Sequence, residues 1–437
     1  MKIKQLYLIY LKHPSICTDT RKISASCLFF ALKGDNFDGN AFADKAVENG
    51  AAFAIIDDPQ YAVNDRFIFV SNVLEALQDL ARFHRDHLRI PFIGITGSNG
   101  KTTTKELIRF VLSQDFNCYA TEGNLNNHIG VPLSILSIKN DCEIAIIEMG
   151  ANHQKEIAFL CGIAKPTHGL ITNVGKAHLE GFGGIEGVKI GKGELYEFLV
   201  RTGGIVFINN DNPILTEMSG ERGVKNAISY GLGTPNFITV QLKNSSPYLS
   251  INWRKAIDQP TNHSYTAISN LPGIYNFDNI AAAICIGSFF GLKPEQINAG
   301  INAYQPLNSR SQIVKTDHNT LICDYYNANP SSMAAALENM ASIQAKSKVL
   351  ILGDMFELGA EAGIEHQLIL DKSLTIDASR RIFIGEEFCR LNKDIEADFY
   401  KNVQETAKAL KEAPVENSIV LVKGSRSIKL ENLLPLL

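Results

Sequence analysis

Glycines at 94, 97 and 100, Lys101 and Thr102 fall together in the stretch GITGSNGKTTT (94 to 104), and in that order these residue types can handle a nucleotide triphosphate. The glycines let the backbone turn sharply, so that N–H groups of the loop and of the helix start behind it point at phosphate oxygens. The Lys101 ammonium would reach the β- and γ-phosphates, and the Thr102 hydroxyl would ligate Mg²⁺. Strict phosphate-loop spacing, G-x-x-x-x-G-K-[ST], needs glycine at position 95, and the chain has Ile95, so the match is partial.

Other reactive side chains follow strand-like runs. Glu148 ends AIIEM, which places a carboxylate at the C-terminal edge of a sheet, where α/β proteins gather ligands. Beside a triphosphate such an acid helps to hold the metal. His178, in NVGKAHLEGFG, comes after another strand end, and Lys192 lies fourteen residues later in KIGKGELYEF. In CDYYNANPSSM (323 to 333), Asp324, Asn327 and Asn329 stand just before a helix that begins at Pro330 and Ser331. Taken singly, each has a plainer reading. Glu148 also fits a solvated strand end, His178 a structural histidine, Lys192 a surface lysine, and the asparagines a tight turn with a helix cap.

The elements that must position these groups read as α/β throughout. CLFFALKG (27 to 34), AAFAIID (51 to 57) and RFIFV (66 to 70) are strand-like, with a helical pattern at 41 to 48 and a helix from Val73 to His87. FIGIT then leads into the glycine loop and a helix with Leu107, Ile108, Val111 and Leu112 on one face. EIAIIEMG (143 to 150), HGLITNV (168 to 174) and GGIVFINN (203 to 210) continue a βαβ alternation that predicts a mostly parallel sheet. A third set comprises TLICDYY (320 to 326), KVLILGD (348 to 354), RRIFIGEE (380 to 387) and SIVLVKGS (418 to 425), and it carries no G-x-G-x-x-G dinucleotide fingerprint. Three α/β domains are expected, at 1–90, 91–306 and 307–437.

Composition narrows the function classes. The 437 residues are 45% hydrophobic and 20% charged with a net charge of −4, so a large core is available and no basic field exists to hold a nucleic acid. The eight cysteines are scattered without a C-x-x-C pair, which suits a reducing cytosol. The N-terminal apolar run before Lys12 is shorter than a leader core, and the apolar stretch from Ile280 to Leu292 falls below the ~20 residues that span a bilayer. A cytoplasmic chain without membrane insertion is expected.

Together these pieces resemble the Mur ligases, ATP-dependent amide-forming enzymes of peptidoglycan precursor synthesis. The family's loop, T-G-[ST]-N-G-K-T-[ST], matches TGSNGKTT (96 to 103) throughout, and the family itself departs from the strict spacing at the position of Ile95. DTRKISASCLFFALKGDNFDGNAFADKA (19 to 46), GNLNNHIGVP (123 to 132), EMGANHQKEI (148 to 157) and YNANPSSM (326 to 333) are similar, in order, to the member that joins D-alanyl-D-alanine to UDP-N-acetylmuramoyl-tripeptide. The D-N-P-R motif of the ligase that adds the third residue is absent.

The resemblance implies a UDP-substrate-binding N-terminal domain, a central P-loop ATPase domain and a Rossmann-like C-terminal ligase domain, acting as a monomer. It assigns ATP to Gly97, Ser98, Asn99, Gly100, Lys101, Thr102 and Thr103, to the adenine-side Asn276 and Asn279, and to Arg310 and Asp324 for phosphate and ribose. Substrate contacts would come from Thr20, Arg21, Lys33, Gly34, Asn124, Asn127, Tyr326, Asn327 and Asn329. Thr102, Glu148, His178 and Lys192 would serve two Mg²⁺ sites, Lys192 matching a lysine that some members carry as an N-carboxylate. Lys101, Glu148, His178 and Lys192 would thus be the catalytic set. Tyr275 stands where many relatives have histidine, and CDYYN keeps only Asp324 of an acidic pair. A P-loop kinase or NTPase that forms no amide, another Mur-type ligase and a non-catalytic nucleotide-binding homologue are the alternatives.

Overall fold

Runs of apolar residues, buried on both faces in the central parallel strands, drive the chain into three main sheets with helices against their faces. The computed structural model describes residues 1–233, 235–245, 247–256, 264–307, 309–392 and 395–437. In the first sheet Ile16–Cys17, Leu28–Phe30, Phe53–Ile56 and Phe67–Phe69 lie parallel in chain order. The N-terminal apolar run, weighed above only as a leader, forms the helix Ile3–Lys12. The helix Val73–His87 starts at Asn72, whose side chain accepts the Glu75 N–H at 2.9 Å, and it buries Val73, Leu77, Leu80 and Ala81 along one stripe. Arg85 fastens this helix to the next unit through the carbonyls of Ala164 and Lys165, both at 2.8 Å.

The second sheet has nine strands, with Phe92–Thr96 between Ile144–Glu148 and His168–Ile171. Its strands show period-two packing: Phe92, Ala145 and Ile147 enter one apolar cluster, whereas Ile93, Ile95, Ile144 and Ile146 enter the other. The helices Lys101–Leu112 and Phe277–Phe289 pack together over that second cluster, so the apolar stretch from Ile280 belongs to a core helix. After Phe92–Thr96 the chain crosses towards the Cys118–Ala120 edge, and after its neighbour His168–Ile171 it crosses the other way. Such a switch opens a crevice at the carboxyl ends of the two strands. The loops 97–100 and 172–178 meet there.

The sheet departs from the parallel βαβ expectation beyond Ile238–Asn244. That strand pairs antiparallel with Ser250–Lys255, which pairs antiparallel with Tyr265–Ile268. Ile238, Val240, Ile251 and Trp253 are buried while their neighbours are less so, the alternation of a sheet with one solvated face. Sequence reading left this region without elements because no helical pattern separates its strands, so the βαβ alternation that marked the others is missing.

The third sheet runs in the order Gln312–Lys315, Thr320–Asp324, Ile419–Lys423, Lys348–Gly353, Arg380–Ile384, Asp398–Tyr400. Only its first pair is antiparallel. The three adjacent parallel strands ending at Asp324, Lys423 and Gly353 release their loops at one edge. Among the described residues no helix is long and apolar enough to cross a membrane, and all eight cysteines are free thiols.

Candidate active site

The glycine loop needs glycine at two of its positions. Gly97 has φ +145° and a Cβ there would lie 2.0 Å from Thr172 Oγ1, while Gly100 precedes the helix Lys101–Leu112 with φ +78°. The partner loop holds the turn in place. Ser98 N–H donates to the Asn173 carbonyl at 3.0 Å, Asn99 N–H to Asn173 Oδ1 at 2.9 Å, and the Thr172 hydroxyl to the Asn99 carbonyl at 2.6 Å. Lys101 Nζ turns back to the carbonyls of Gly97 at 2.6 Å and Ser98 at 3.2 Å. Burial holds its pKa below the ordinary lysine value, opposed by Glu148 and reinforced by the nearby Arg310.

Glu148 is 2% exposed, so the solvated strand end is ruled out. Its Oε2 accepts the Thr102 hydroxyl and its Oε1 the Asn126 amide, each at 2.9 Å. Asn126 was missed in the sequence, although it sits between Asn124 and Asn127 in GNLNNHIGVP. The structure gives Asn127 a different task, since its Oδ1 accepts the N–H groups of Ile129 and Gly130 at the start of the helix Gly130–Leu136.

His178 turns into the cleft from a left-handed backbone, φ +53°. Its Nδ1 is buried and lacks a well-aligned hydrogen bond, although the Glu357 carboxylate abuts it. That contact holds Glu357 below the usual carboxylate range. Lys192 is 1% exposed on the helix Ile185–Thr202, which corrects the surface-lysine reading. Its Nζ donates to the Ala151 carbonyl at 3.2 Å and stands 5.0 Å from the Phe182 ring centre. Burial first, and Lys101 second, push its pKa well below the ordinary value.

On the other side of the loop, Asn279 donates to Asn276 Oδ1 at 2.9 Å and accepts the Thr104 hydroxyl at 2.9 Å. The buried Tyr275 hydroxyl lies 2.9 Å from Ser311 Oγ. From the third unit, the Arg310 guanidinium sits 3.8 Å from the Tyr326 ring centre, and Asp324 pairs with Lys423. Asn329 caps the helix Pro330–Ser342 by accepting the Ser332 N–H at 2.9 Å, and its amide also donates to Asn99 Oδ1 at 2.8 Å. Lys176 N–H donates to Ser331 Oγ at 2.8 Å, and its ammonium pairs with Glu365.

All of this surrounds one cleft of about 1050 Å³, lined by Ser98 to Thr103, Asn124, Asn127, Glu148, His178, Asn276, Asn279, Arg310, Asp324, Tyr326, Asn327 and Asn329. Gly97 supports its floor and Lys192 lies behind it. Thr20, Arg21, Lys33 and Gly34 are not among the residues lining it: Arg21 pairs with Asp19, and Lys33 with Asp57 at 3.0 Å. Among the described residues no three His, Cys, Asp or Glu side chains cluster as a preformed metal site. The Thr102–Glu148 oxygen pair suits a hard cation completed by phosphate oxygens, and His178, against the Glu357 carboxylate, offers an imidazole at a second position.

Three family models match in sequence: the Mur ligase family catalytic domain over residues 14–85, the Mur ligase middle domain over 95–287, and the Mur ligase glutamate ligase domain over 309–426. The chain is 34% identical to the UDP-N-acetylmuramoyl-tripeptide--D-alanyl-D-alanine ligase of Bacillus subtilis (strain 168), covering 96% of this chain and 92% of that protein. It is 32% identical to the protein of the same name from Escherichia coli (strain K12), covering 95% and 92%. A crystal structure of MurF from Acinetobacter baumannii superposes with a TM-score of 0.85 at 27% identity, covering 96% of this chain and 92% of that one. A MurF ligase from Thermotoga maritima in complex with ADP superposes with 0.84 at 25% identity, covering 97% and 96%.

Proposed function

The chain belongs to the Mur ligase family, and from that premise we propose how it works as the ATP-dependent ligase that joins D-alanyl-D-alanine to UDP-N-acetylmuramoyl-tripeptide in peptidoglycan synthesis. Whole-chain likeness to such ligases sets aside the kinase alternative, which leaves the first 90 residues without a task.

A carboxylate resists an amine because it is already anionic and would have to expel oxide. Transfer of the γ-phosphoryl group of ATP to the tripeptide's terminal carboxylate forms an acyl phosphate and ADP. The amine of D-alanyl-D-alanine then adds to the carbonyl carbon, the tetrahedral adduct expels phosphate, the amine loses a proton, and an amide remains. Lys101 and Arg310 offset the repulsion between carboxylate and triphosphate, with loop N–H groups from Ser98 to Thr103 holding the phosphates. Asn276 and Asn279 face the base, and Asp324 the ribose. Thr102 and Glu148 would hold one Mg²⁺ and His178 with Lys192 would support a second, which supplies charge neutralisation when bound. Lys192 can do so only after losing its positive charge, as a carbamate formed when its neutral amine attacks CO₂ and a proton passes to solvent. Thr20, Arg21, Lys33 and Gly34 would take the UDP portion within a unit spanning 1–90, followed by units at 91–306 and 307–437.

The observation that carries this reading is the Asn99–Asn329 hydrogen bond, by which the phosphate loop and the YNANP turn form opposite walls of one cleft. Phosphate release from ATP, measured with each substrate omitted in turn and followed by product mass, tests it. The expected result is release only with all components present, and transfer of ¹⁸O from the labelled tripeptide carboxylate to phosphate. Amide formation without ATP, or unlabelled phosphate, would sink the scheme.

A further inference from the structure

A dipeptide arriving with a free carboxylate has to present its amine to the acyl phosphate and not the wrong end. A cation near the cleft that carries no anion of its own is the natural group to take the negative terminus. The three adjacent parallel strands ending at Asp324, Lys423 and Gly353 put their loops at one edge, and these carry Tyr326, Arg426 and Glu357 respectively. Carboxyl edges of parallel strands are where such sheets bind ligands.

Two guanidinium groups share the Tyr326 ring, Arg310 at 3.8 Å and Arg426 at 5.0 Å from its centre. Arg310 lies near Lys101, on the nucleotide side. The third cation at this edge, Lys423, is committed to Asp324. Arg426 is exposed, and among the described residues no carboxylate or carbonyl engages its guanidinium. Yet the turn that carries it is anchored. The preceding Ser425 is 3% exposed, its N–H donates to the Asp354 carbonyl at 3.1 Å, and its hydroxyl accepts the Phe356 N–H at 3.3 Å. Arg426 is not itself among the residues lining the cleft, but it stands on an anchored turn beside a ring that does, without an anion of its own, and a guanidinium so placed can receive a carboxylate.

We propose that Arg426, oriented by Tyr326, binds the C-terminal carboxylate of the incoming dipeptide and so fixes which end of it meets the acyl phosphate. This rests on the assigned reaction and deepens it by naming a specificity-determining residue. Because the guanidinium fork matches a carboxylate in two parallel hydrogen bonds, an amide in place of the acid leaves one donor pair facing another.

The test is steady-state kinetics of the full chain, R426M and R426K with D-alanyl-D-alanine and with D-alanyl-D-alaninamide, product being identified by mass. The wild-type chain should prefer the free acid by about a hundredfold in kcat/KM. In R426M the KM for the dipeptide should rise by about that factor, the values for ATP and UDP-tripeptide should stay within about twofold, and the preference for acid over amide should vanish; R426K should fall between. Normal dipeptide KM and intact discrimination in R426M, or a rise confined to ATP or UDP-tripeptide, would overturn the inference alone. No amide product from the wild-type chain with the free dipeptide would overturn the assigned reaction, and this inference with it.

Discussion

At the scale of single residues, the site depends on cations kept where charge accumulates. In the proposed mechanism Lys101 is a preorganised donor to the transferring phosphoryl group, so replacing it by alanine should cost about 10² to 10³ in rate. The fold should survive, because the ammonium bonds only to carbonyls of its own loop. Unchanged circular dichroism with turnover reduced by that order is the expected outcome, and near-normal turnover would remove Lys101 from the mechanism. Lys192 is a different case. Burial lowers its pKa and so favours the neutral amine, the form that attacks CO₂ and releases a proton as the carbamate forms; ¹³C-bicarbonate should give a carbamate resonance in the wild-type chain that is absent from Lys192→Ala. Short carboxylic acids should partly restore the variant's activity, and a wild-type spectrum without the resonance would argue that the buried amine stays unmodified. Much of this site was legible beforehand: glycine, lysine and threonine at fixed spacing announce a phosphate loop whatever the fold around them. Burial was not, which is why Glu148 and Lys192 each retained a bland reading until packing showed them enclosed.

At the scale of elements, single residues serve both a helix end and the cleft. Asn329 satisfies the Ser332 N–H at the start of Pro330–Ser342 and reaches Asn99 in the other wall. Asn329→Ala should therefore cost about 1 kcal/mol of stability from the lost cap and also reduce kcat. Asn99→Ala, which removes the bridge while leaving the cap, should reduce kcat with little change in denaturation midpoint. Equal thermal shifts in the two variants would contradict this division. The helices and parallel strands that hold such residues followed from periodicity, since Val73–His87 and Phe92–Thr96 bury the residues their patterns select. The antiparallel strands from Ile238 to Ile268 did not. They are short, half-buried strands that pair antiparallel with their neighbours in sequence, so no helical segment set them apart.

For the whole molecule, the walls of the cleft belong to two different sheets, joined by polar contacts that can exchange. The Lys176–Glu365 pair is the most enclosed on the Glu365 side, where the carboxylate is 5% exposed. Removing its partner in Lys176→Met leaves that charge uncompensated unless the units part and water enters. X-ray scattering of this variant should show a larger radius of gyration than the wild-type chain without ligands, with compaction restored by a non-hydrolysable ATP analogue plus UDP-tripeptide. Identical profiles in all conditions would mean that the pair does not hold the units together. No sequence pattern disclosed this pair, because its members are 189 residues apart, although Lys176 lies in the NVGKAHLEGFG stretch quoted for His178. Distributing the work over separate sheets has a further consequence. The phosphate loop grows from one sheet and the turn bearing Arg426 from another, so, with Arg426 in its proposed role, a new nucleophile can be admitted by edits at the latter that leave the phosphate loop untouched. Diversification of the product then needs no reinvention of the engine.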